Sequence, residues 1–290
     1  MKSIIVFLVV TAIAFVFGIF AGWDSVKVGS YSAFFLCAVI ALVVNWLAFL
    51  PAAAVKSDKY YDTTGAITYL TVTAFACWAA YSALGSLDTR SIVIAAMVAL
   101  WCIRLGSFLY RRIHAMGGTD SRFEKIKVNP ARFLVAWTLQ GLWVTLTASA
   151  ALVAITSSER APIDLFFWIG AAIWVFGFAW EIIADNQKSA FKKDPANKGK
   201  FIQVGLWKLS RHPNYFGEIA LWTGILIMAI PVLSGWAWLV VISPIFVTLL
   251  LTKVSGINLQ NKQAKERWGD DPEYQEYRKN TPALIPVIGP

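Results

Sequence analysis

The chain has 290 residues, of which 58% are hydrophobic and 15% charged, against roughly 25% charged in an average soluble domain. A soluble fold of this length can bury a full core without being so apolar, so composition points to a membrane protein. The net charge of +9 sits in short loops with no nucleic-acid-binding module in view, which excludes nucleic acid as an expected partner.

In chain order, the apolar stretch Ile4–Trp23 follows Met1-Lys2-Ser3 and is longer than the ~7–15 apolar residues of a signal peptide. It suits a first spanning helix of about 20 residues. Further apolar segments run over Tyr31–Leu50, Ile67–Leu84, Ile92–Tyr110, Phe133–Ile155, Leu165–Ile183, Ile219–Leu233 and Trp236–Val254. The last two are separated only by Ser234-Gly235, and the seventh is short, so a reading with seven spans stands beside the one with eight. The 14 Trp residues fit the pattern, because amphipathic indole rings collect at the two membrane–water interfaces.

The positive-inside rule orients the chain. With the amino terminus in the cytoplasm, eight spans place the 110–132 loop, the 184–218 loop and the tail from Val254 on one side. Those segments carry most of the Lys and Arg residues, whereas the opposite loops hold Lys27, Arg90 and Arg160. The expected fold is therefore an all-α polytopic membrane bundle of about eight helices. Its amino terminus and soluble carboxyl tail are expected in the cytoplasm, and the chain reads as a single membrane domain over 1–290.

Few residues demand a chemical explanation. Cys37, Cys77 and Cys102 each lie in an apolar run with no metal-ligand or redox spacing, and read as small core hydrophobes. Ionisable groups inside spans are costly and face a cavity or a partner; here they are Arg104, Glu181, Asp185 and Glu218. Glu181, Asp185, Lys188 and Lys192 recur at helical spacing, forming one stripe that begins in the membrane and runs out of it.

The densest polar stretch is Gly205-Leu-Trp-Lys-Leu-Ser-Arg-His-Pro-Asn-Tyr-Phe-Gly-Glu218. Pro213 suits the first turn of a helix, which would set free backbone N–H groups beside Arg211 and His212, as an anion site requires. Asn214 and Glu218 share a face one turn apart, suited to an amide or hydroxyl of a bound cofactor. Lys265–Arg278 reads as a helix, a turn at Gly269–Pro272 and a short helix, with Tyr274, Tyr277 and Arg278 able to fold over the same face.

These residues carry a resemblance. The carboxyl half, 166–286, resembles the cofactor-binding region of the steroid 5-alpha-reductase superfamily, and the whole chain resembles its bacterial branch, the DUF1295 family. The matching features are Arg104-Leu-Gly-Ser-Phe-Leu with Arg111-Arg112-Ile113, Gly118-Thr-Asp-Ser-Arg-Phe123, Asp185-Asn-Gln-Lys188, the Gly205–Glu218 stretch and Pro282-Ala-Leu-Ile-Pro286.

The resemblance implies a membrane oxidoreductase of lipid metabolism that reduces a conjugated carbon–carbon double bond with NADPH. Its substrate would be an apolar, steroid-like small molecule drawn from the bilayer, with membrane lipids around it. The implied location is a bacterial inner membrane, with the active face cytoplasmic. By position, Asp185, Asn214 and Glu218 match cofactor contacts, and Arg104 matches an arginine before the first basic loop. Lys192 stands where the reductases have arginine, and Glu181 where they have asparagine. Arg122, Trp207, Arg211, His212, Tyr215, Tyr274, Tyr277 and Arg278 complete the expected cofactor set.

Phe49 and Trp101 stand where the steroid enzymes hold the substrate carbonyl with glutamate and tyrosine, and neither donates a proton to an enolate. The expected catalytic acids are instead Tyr60, Tyr61, Asp62 and Tyr69. The Arg211-His212-Pro213 core also resembles membrane methyltransferases of the isoprenylcysteine and phospholipid type. That sets an S-adenosylmethionine-dependent methyltransferase as the alternative, although Asn258–Lys262 lacks the acidic pair those proteins show after the last helix.

Overall fold

The computed structural model describes residues 1–290 apart from 116, 121–122, 255 and 288–290. Among the described residues the chain is almost wholly helical: α1 Lys2–Ala21, α2 Ala33–Ala54, α3 Tyr61–Leu84, α4 Thr89–Ala115, α5 Pro130–Thr147, α6 Ser149–Thr156, α7 Leu165–Lys193, α8 Leu206–Leu209, α9 Pro213–Ala229, α10 Ile242–Leu249, α11 Ile257–Trp268 and α12 Pro272–Asn280. One hairpin, β1 Lys27–Val28 against β2 Tyr31–Ser32, links α1 to α2 and turns at Gly29 with φ +62°.

Seven helices are long and apolar enough to cross a bilayer, and the bent pair α5–α6 makes an eighth if counted as one span. The chain is thus a multi-pass α-helical membrane protein. The weak point lies elsewhere than the sequence suggested. The seventh segment extends back to Pro213 and reaches full length, whereas the fifth, expected as one helix over Phe133–Ile155, bends by 57° at Ala148. Hydroxyl groups mark the break: Ser149 Oγ donates to Leu146 O at 2.8 Å, and Ser243 Oγ to Thr147 O at 2.5 Å. Such bonds take carbonyls out of the helical ladder, a recognised cause of kinks. The last segment is irregular too, passing from a 3-10 helix over Gly235–Val241 through α10 into a π turn at Leu250–Val254.

The chain divides into two compact units, Met1–Phe167 with Met228–Ser243, and Trp168–Ile227 with Pro244–Pro290. In the first, α1 to α6 pack through small residues, the usual basis of helix association in lipid. A Cβ on Gly106 would stand 2.7 Å from Ala66 Cβ, and one on Gly141 would meet Leu42 at 2.9 Å.

Arg90, counted from sequence among the loop cations, lies in the first turn of α4 with 1% of its surface exposed. Its guanidinium donates to Met228 O at 2.5 Å, Pro162 O at 2.7 Å and Asp164 Oδ1 at 3.0 Å. It therefore ties segments distant in sequence within this unit. Asp58, also buried, accepts from Lys127 Nζ at 2.6 Å and from the Asp120 amide at 2.7 Å. That pins the basic loop to the start of α3.

Candidate functional site

The candidate site belongs to the second unit and is built by two helices in backbone contact. Gly170 and Gly177 on α7 meet Gly217 and Gly224 on α9. A Cβ on Gly217 would lie 2.6 Å from Gly177 O and 2.7 Å from Glu181 N, and one on Gly224 would lie 2.6 Å from Gly170 O. Only glycine permits that approach. It sets Glu181, 2% exposed, against Gly217, one turn from Asn214, and Asp185, 5% exposed, follows one turn along α7.

The segment before α9 folds onto the same end of α7. The Leu206 amide donates to Gln187 Oε1 at 2.9 Å and Trp207 Nε1 donates to Ala184 O at 3.0 Å. Gly205, with φ +59°, has its Cβ position filled by the Gln187 amide, so a side chain there is excluded twice over. Lys188 places its ammonium 4.6 Å above the Trp207 ring, a cation–π contact. The acidic end of α7 and the basic start of α9 are thereby brought together.

Helix α9 begins at Pro213, as expected from its fixed φ, with the His212 carbonyl accepting from the Tyr215 and Phe216 amides at 3.2 and 3.3 Å. His212 is 5% exposed, its ring stacked on Tyr215 with centroids 5.5 Å apart. Burial pulls its pKa down to about 3, with the charges of Lys188 and Arg211 acting in the same direction. The imidazole is therefore neutral at physiological pH. Arg211 is held below the usual guanidinium range by burial and by Arg278 nearby. Two like charges kept together favour an anion between them.

The carboxyl tail straps this segment down. Arg211 donates through its amide to Pro282 O at 2.9 Å and through Nε to Thr281 O at 3.1 Å, while Ser210 Oγ donates to Leu284 O at 2.8 Å. Tyr277 Oη donates to Trp207 O at 2.6 Å, and burial pushes its phenol up, keeping it a donor. Tyr274 and Tyr277 pack on Phe201 at 5.1 and 5.4 Å. Trp207, Tyr274 and Tyr277 are thus scaffold for the segment, and Arg278 is exposed.

Three atoms at this helix start are buried without a hydrogen-bond partner: Arg211 Nη1, His212 Nδ1 and Asn214 Oδ1. A buried polar atom left unmatched costs about 1–3 kcal/mol, and these three, on neighbouring residues, leave hydrogen-bonding capacity at one helix start. Glu181, Asp185, Lys192, Tyr215 and Glu218 complete the expected residues of this unit. Gln260, which no sequence signal singled out, reaches Tyr215 Oη through its Nε2.

The remaining expected residues lie in the first unit or outside the described ones. Arg104 sits on α4 with its guanidinium 5.6 Å from the Phe108 ring, and Arg122 lies outside the described residues. Tyr60 is exposed at the start of α3. Tyr61 Oη donates to Ala136 O at 2.9 Å, with its ring packed on Phe123 and Trp137. Asp62 pairs with Arg112 at 3.7 Å. Tyr69 is buried, edge-on to Trp101 at 5.2 Å, and Phe49 packs on Phe133.

Steroid 5-alpha-reductase DET2 of Gossypium hirsutum is 30% identical over 128 residues, covering 43% of this chain and 45% of that protein. A probable O-methyltransferase of Ustilaginoidea virens is 34% identical over 95 residues, 28% of this chain and 34% of the other. An uncharacterized protein of Schizosaccharomyces pombe is 26% identical over 159 residues, 46% of each. The matches thus span less than half the length of these relatives. No solved structure matches. The family described as "Protein of unknown function (DUF1295)" matches residues 48–281, most of the chain, and this protein belongs to the DUF1295 family.

Proposed function

We propose that the second unit binds NADPH and that the protein is a membrane reductase. Its substrate would be an apolar lipid or steroid-like molecule, taken from the bilayer, with a carbon–carbon double bond conjugated to a carbonyl. The observation that carries the reading is the set of unmatched atoms on Arg211, His212 and Asn214, in the unit that also buries Glu181 and Asp185. The similarity to a steroid 5-alpha-reductase supports it.

The residues present fit a dinucleotide. Arg211, Arg278 and Lys192 supply positive charge for phosphates, and the start of α9 adds its dipole. Glu181, Asp185 and Glu218 accept from ribose hydroxyls, and Asn214 Oδ1 accepts from an amide or amino N–H. Neutral His212 adds hydrogen-bonding capacity without charge. When bound, NADPH supplies the hydride for the electron-poor carbon. The protein's own part is to bind, orient and neutralise.

Of the acids expected in the first unit, Tyr61 is engaged by the Ala136 carbonyl and Asp62 by Arg112. Tyr60→Phe, Tyr61→Phe, Asp62→Asn and Tyr69→Phe test the proton-donor assignment, and unchanged turnover in a variant removes that residue from it. The positive-inside distribution of Lys and Arg supports a cytoplasmic active face, and the bacterial branch resembled supports an inner-membrane location.

A second reading, an S-adenosylmethionine-dependent methyltransferase, is favoured by the similarity to a probable O-methyltransferase. Thermal unfolding of the purified protein separates the two, since a ligand held at 100 times its Kd stabilises the native state by about 2.7 kcal/mol. NADPH is expected to raise Tm and S-adenosylmethionine to leave it unchanged; the reverse pattern selects the methyltransferase. NADPH consumption with a panel of enone lipids and quinones then identifies the substrate.

A further inference from the structure

We propose that residues 272–287 form a lid that must release the segment 201–211 before a ligand reaches the start of α9, and that Phe201 is its latch. The proposal rests on the reading of the second unit as a cofactor site and adds how that site opens.

Closure is visible at Arg211. Its Nη1 is buried and has no partner, so a phosphate does not reach that atom in this conformation. The cover is the tail itself: the Arg211 amide donates to Pro282 O at 2.9 Å, and Nε donates to Thr281 O at 3.1 Å. To either side, Tyr277 Oη donates to Trp207 O at 2.6 Å, Ser210 Oγ to Leu284 O at 2.8 Å and the Val287 amide to Leu209 O at 3.2 Å. Gln203 Nε2 donates to Glu273 Oε1 where α12 begins. All of these bonds join the lid to one short stretch, 203–211, so they are released together.

The lid is held by little else. In the nine residues of α12, Tyr274 alone is buried. A helix this short has little stability of its own and depends on its contacts. Segments with few buried apolar contacts and solvent-exposed bonds open at the lowest free energy. Here the apolar contact is concentrated on one ring. The Phe201 centroid lies 5.1 Å from that of Tyr274, 5.4 Å from Tyr277 and 5.9 Å from Trp268. Trp268 is the last residue of α11, and its Nε1 donates to Gly199 O at 2.5 Å, in the same loop as Phe201. Phe201 is thus wedged between a ring on one side of the Gly269–Asp271 turn and two rings on the other. Asp271 Oδ1 caps α12 by accepting from the Glu273 amide at 2.9 Å. With its own cap, α12 swings about that turn without unravelling.

The test is backbone hydrogen exchange of the full chain in detergent, read by mass spectrometry with and without NADPH. The Arg211 amide, bonded to Pro282 O, and the Val287 amide, bonded to Leu209 O, report the lid directly. Without ligand, peptides holding these amides are expected to exchange together, about tenfold or more faster than the middle of α9. Phe201→Ala is expected to speed both about tenfold and leave α9 unchanged, and Gln203→Ala, which removes one exposed bond, to speed both about threefold. NADPH is expected to slow both in the wild type, and to associate about tenfold faster with Phe201→Ala in stopped-flow titration, since a required opening step limits association.

Exchange at Arg211 as slow as in the middle of α9, or unchanged in both variants, overturns the proposal. NADPH associating no faster with Phe201→Ala than with the wild type overturns it too. If exchange follows the expected pattern while NADPH neither binds nor protects, the lid stands and the cofactor reading falls.

Discussion

In the first unit, Arg90 is buried and its guanidinium reaches three oxygens of the same unit, whereas in the second unit Arg211, His212 and Asn214 each keep a buried polar atom unmatched at one helix start. Both arrangements place polar chemistry where desolvation makes it expensive. In the first, Nη1 and Nη2 are matched and only Nε lacks a partner, so Arg90 has a structural task. The second is open, and the protein alone does not complete it. Arg90 is held by three acceptors of its own unit, whereas the start of α9 leaves three neighbouring residues with capacity for a ligand.

The largest expected effect comes from breaking the Arg90 contacts. Arg90→Ala leaves the Met228 and Pro162 carbonyls without their donor in the first unit, and a buried acceptor left unmatched costs about 1–3 kcal/mol each. Unfolding in denaturant should show that loss, and a loss under about 1 kcal/mol would mean that water replaces the guanidinium. Next, Gly217→Ala drives a methyl into the Gly177 carbonyl and the Glu181 amide. Overpacking of this kind costs about 1–3 kcal/mol. It should also weaken NADPH binding, because α7 and α9 must separate.

A pH dependence sharpens the comparison from the second unit. Burial lowers the folded pKa of His212 from the ordinary imidazole value of about 6.5 to about 3, so between these values the unfolded chain takes up a proton that the folded protein does not. Stability is expected to be full above about pH 6.5 and to fall as the pH drops toward 3, by at most ~1.4 kcal/mol per unit. Unfolding curves of His212→Gln should lack this component, and an identical slope in the variant would show that His212 is not its source.

Much of the fold was legible in the sequence because bilayer thickness imposes a length on every span. The runs near Ile4–Trp23 and Tyr31–Leu50 are α1 and α2 within a few residues, and Pro213 marked the start of α9. The bend at Ala148 was not legible, because Phe133–Ile155 holds no Pro and no charged residue and the break depends on Ser149 and on Ser243, far away in sequence. Arg90 looked like a loop charge, since two of its three acceptors are carbonyls, which no side-chain pattern records, and the third, Asp164, is 74 residues away in sequence. Glu181, Asp185 and Asn214 stood out as polar residues in or beside spans. Gln260 did not, because its meaning arises only when a π turn and a glycine bring it to Tyr215. The pairing of Gly177 with Gly217 likewise appears only when α7 and α9 lie side by side.

The most direct test of the central claim is an equilibrium titration of the purified protein with NADPH, comparing wild type with Asn214→Ala. The account predicts saturable binding to the wild type and a loss of about tenfold or more in affinity for the variant, near 1.4 kcal/mol, with no fall in Tm in the absence of ligand. Equal affinity in the two proteins, or no binding to the wild type, would contradict it.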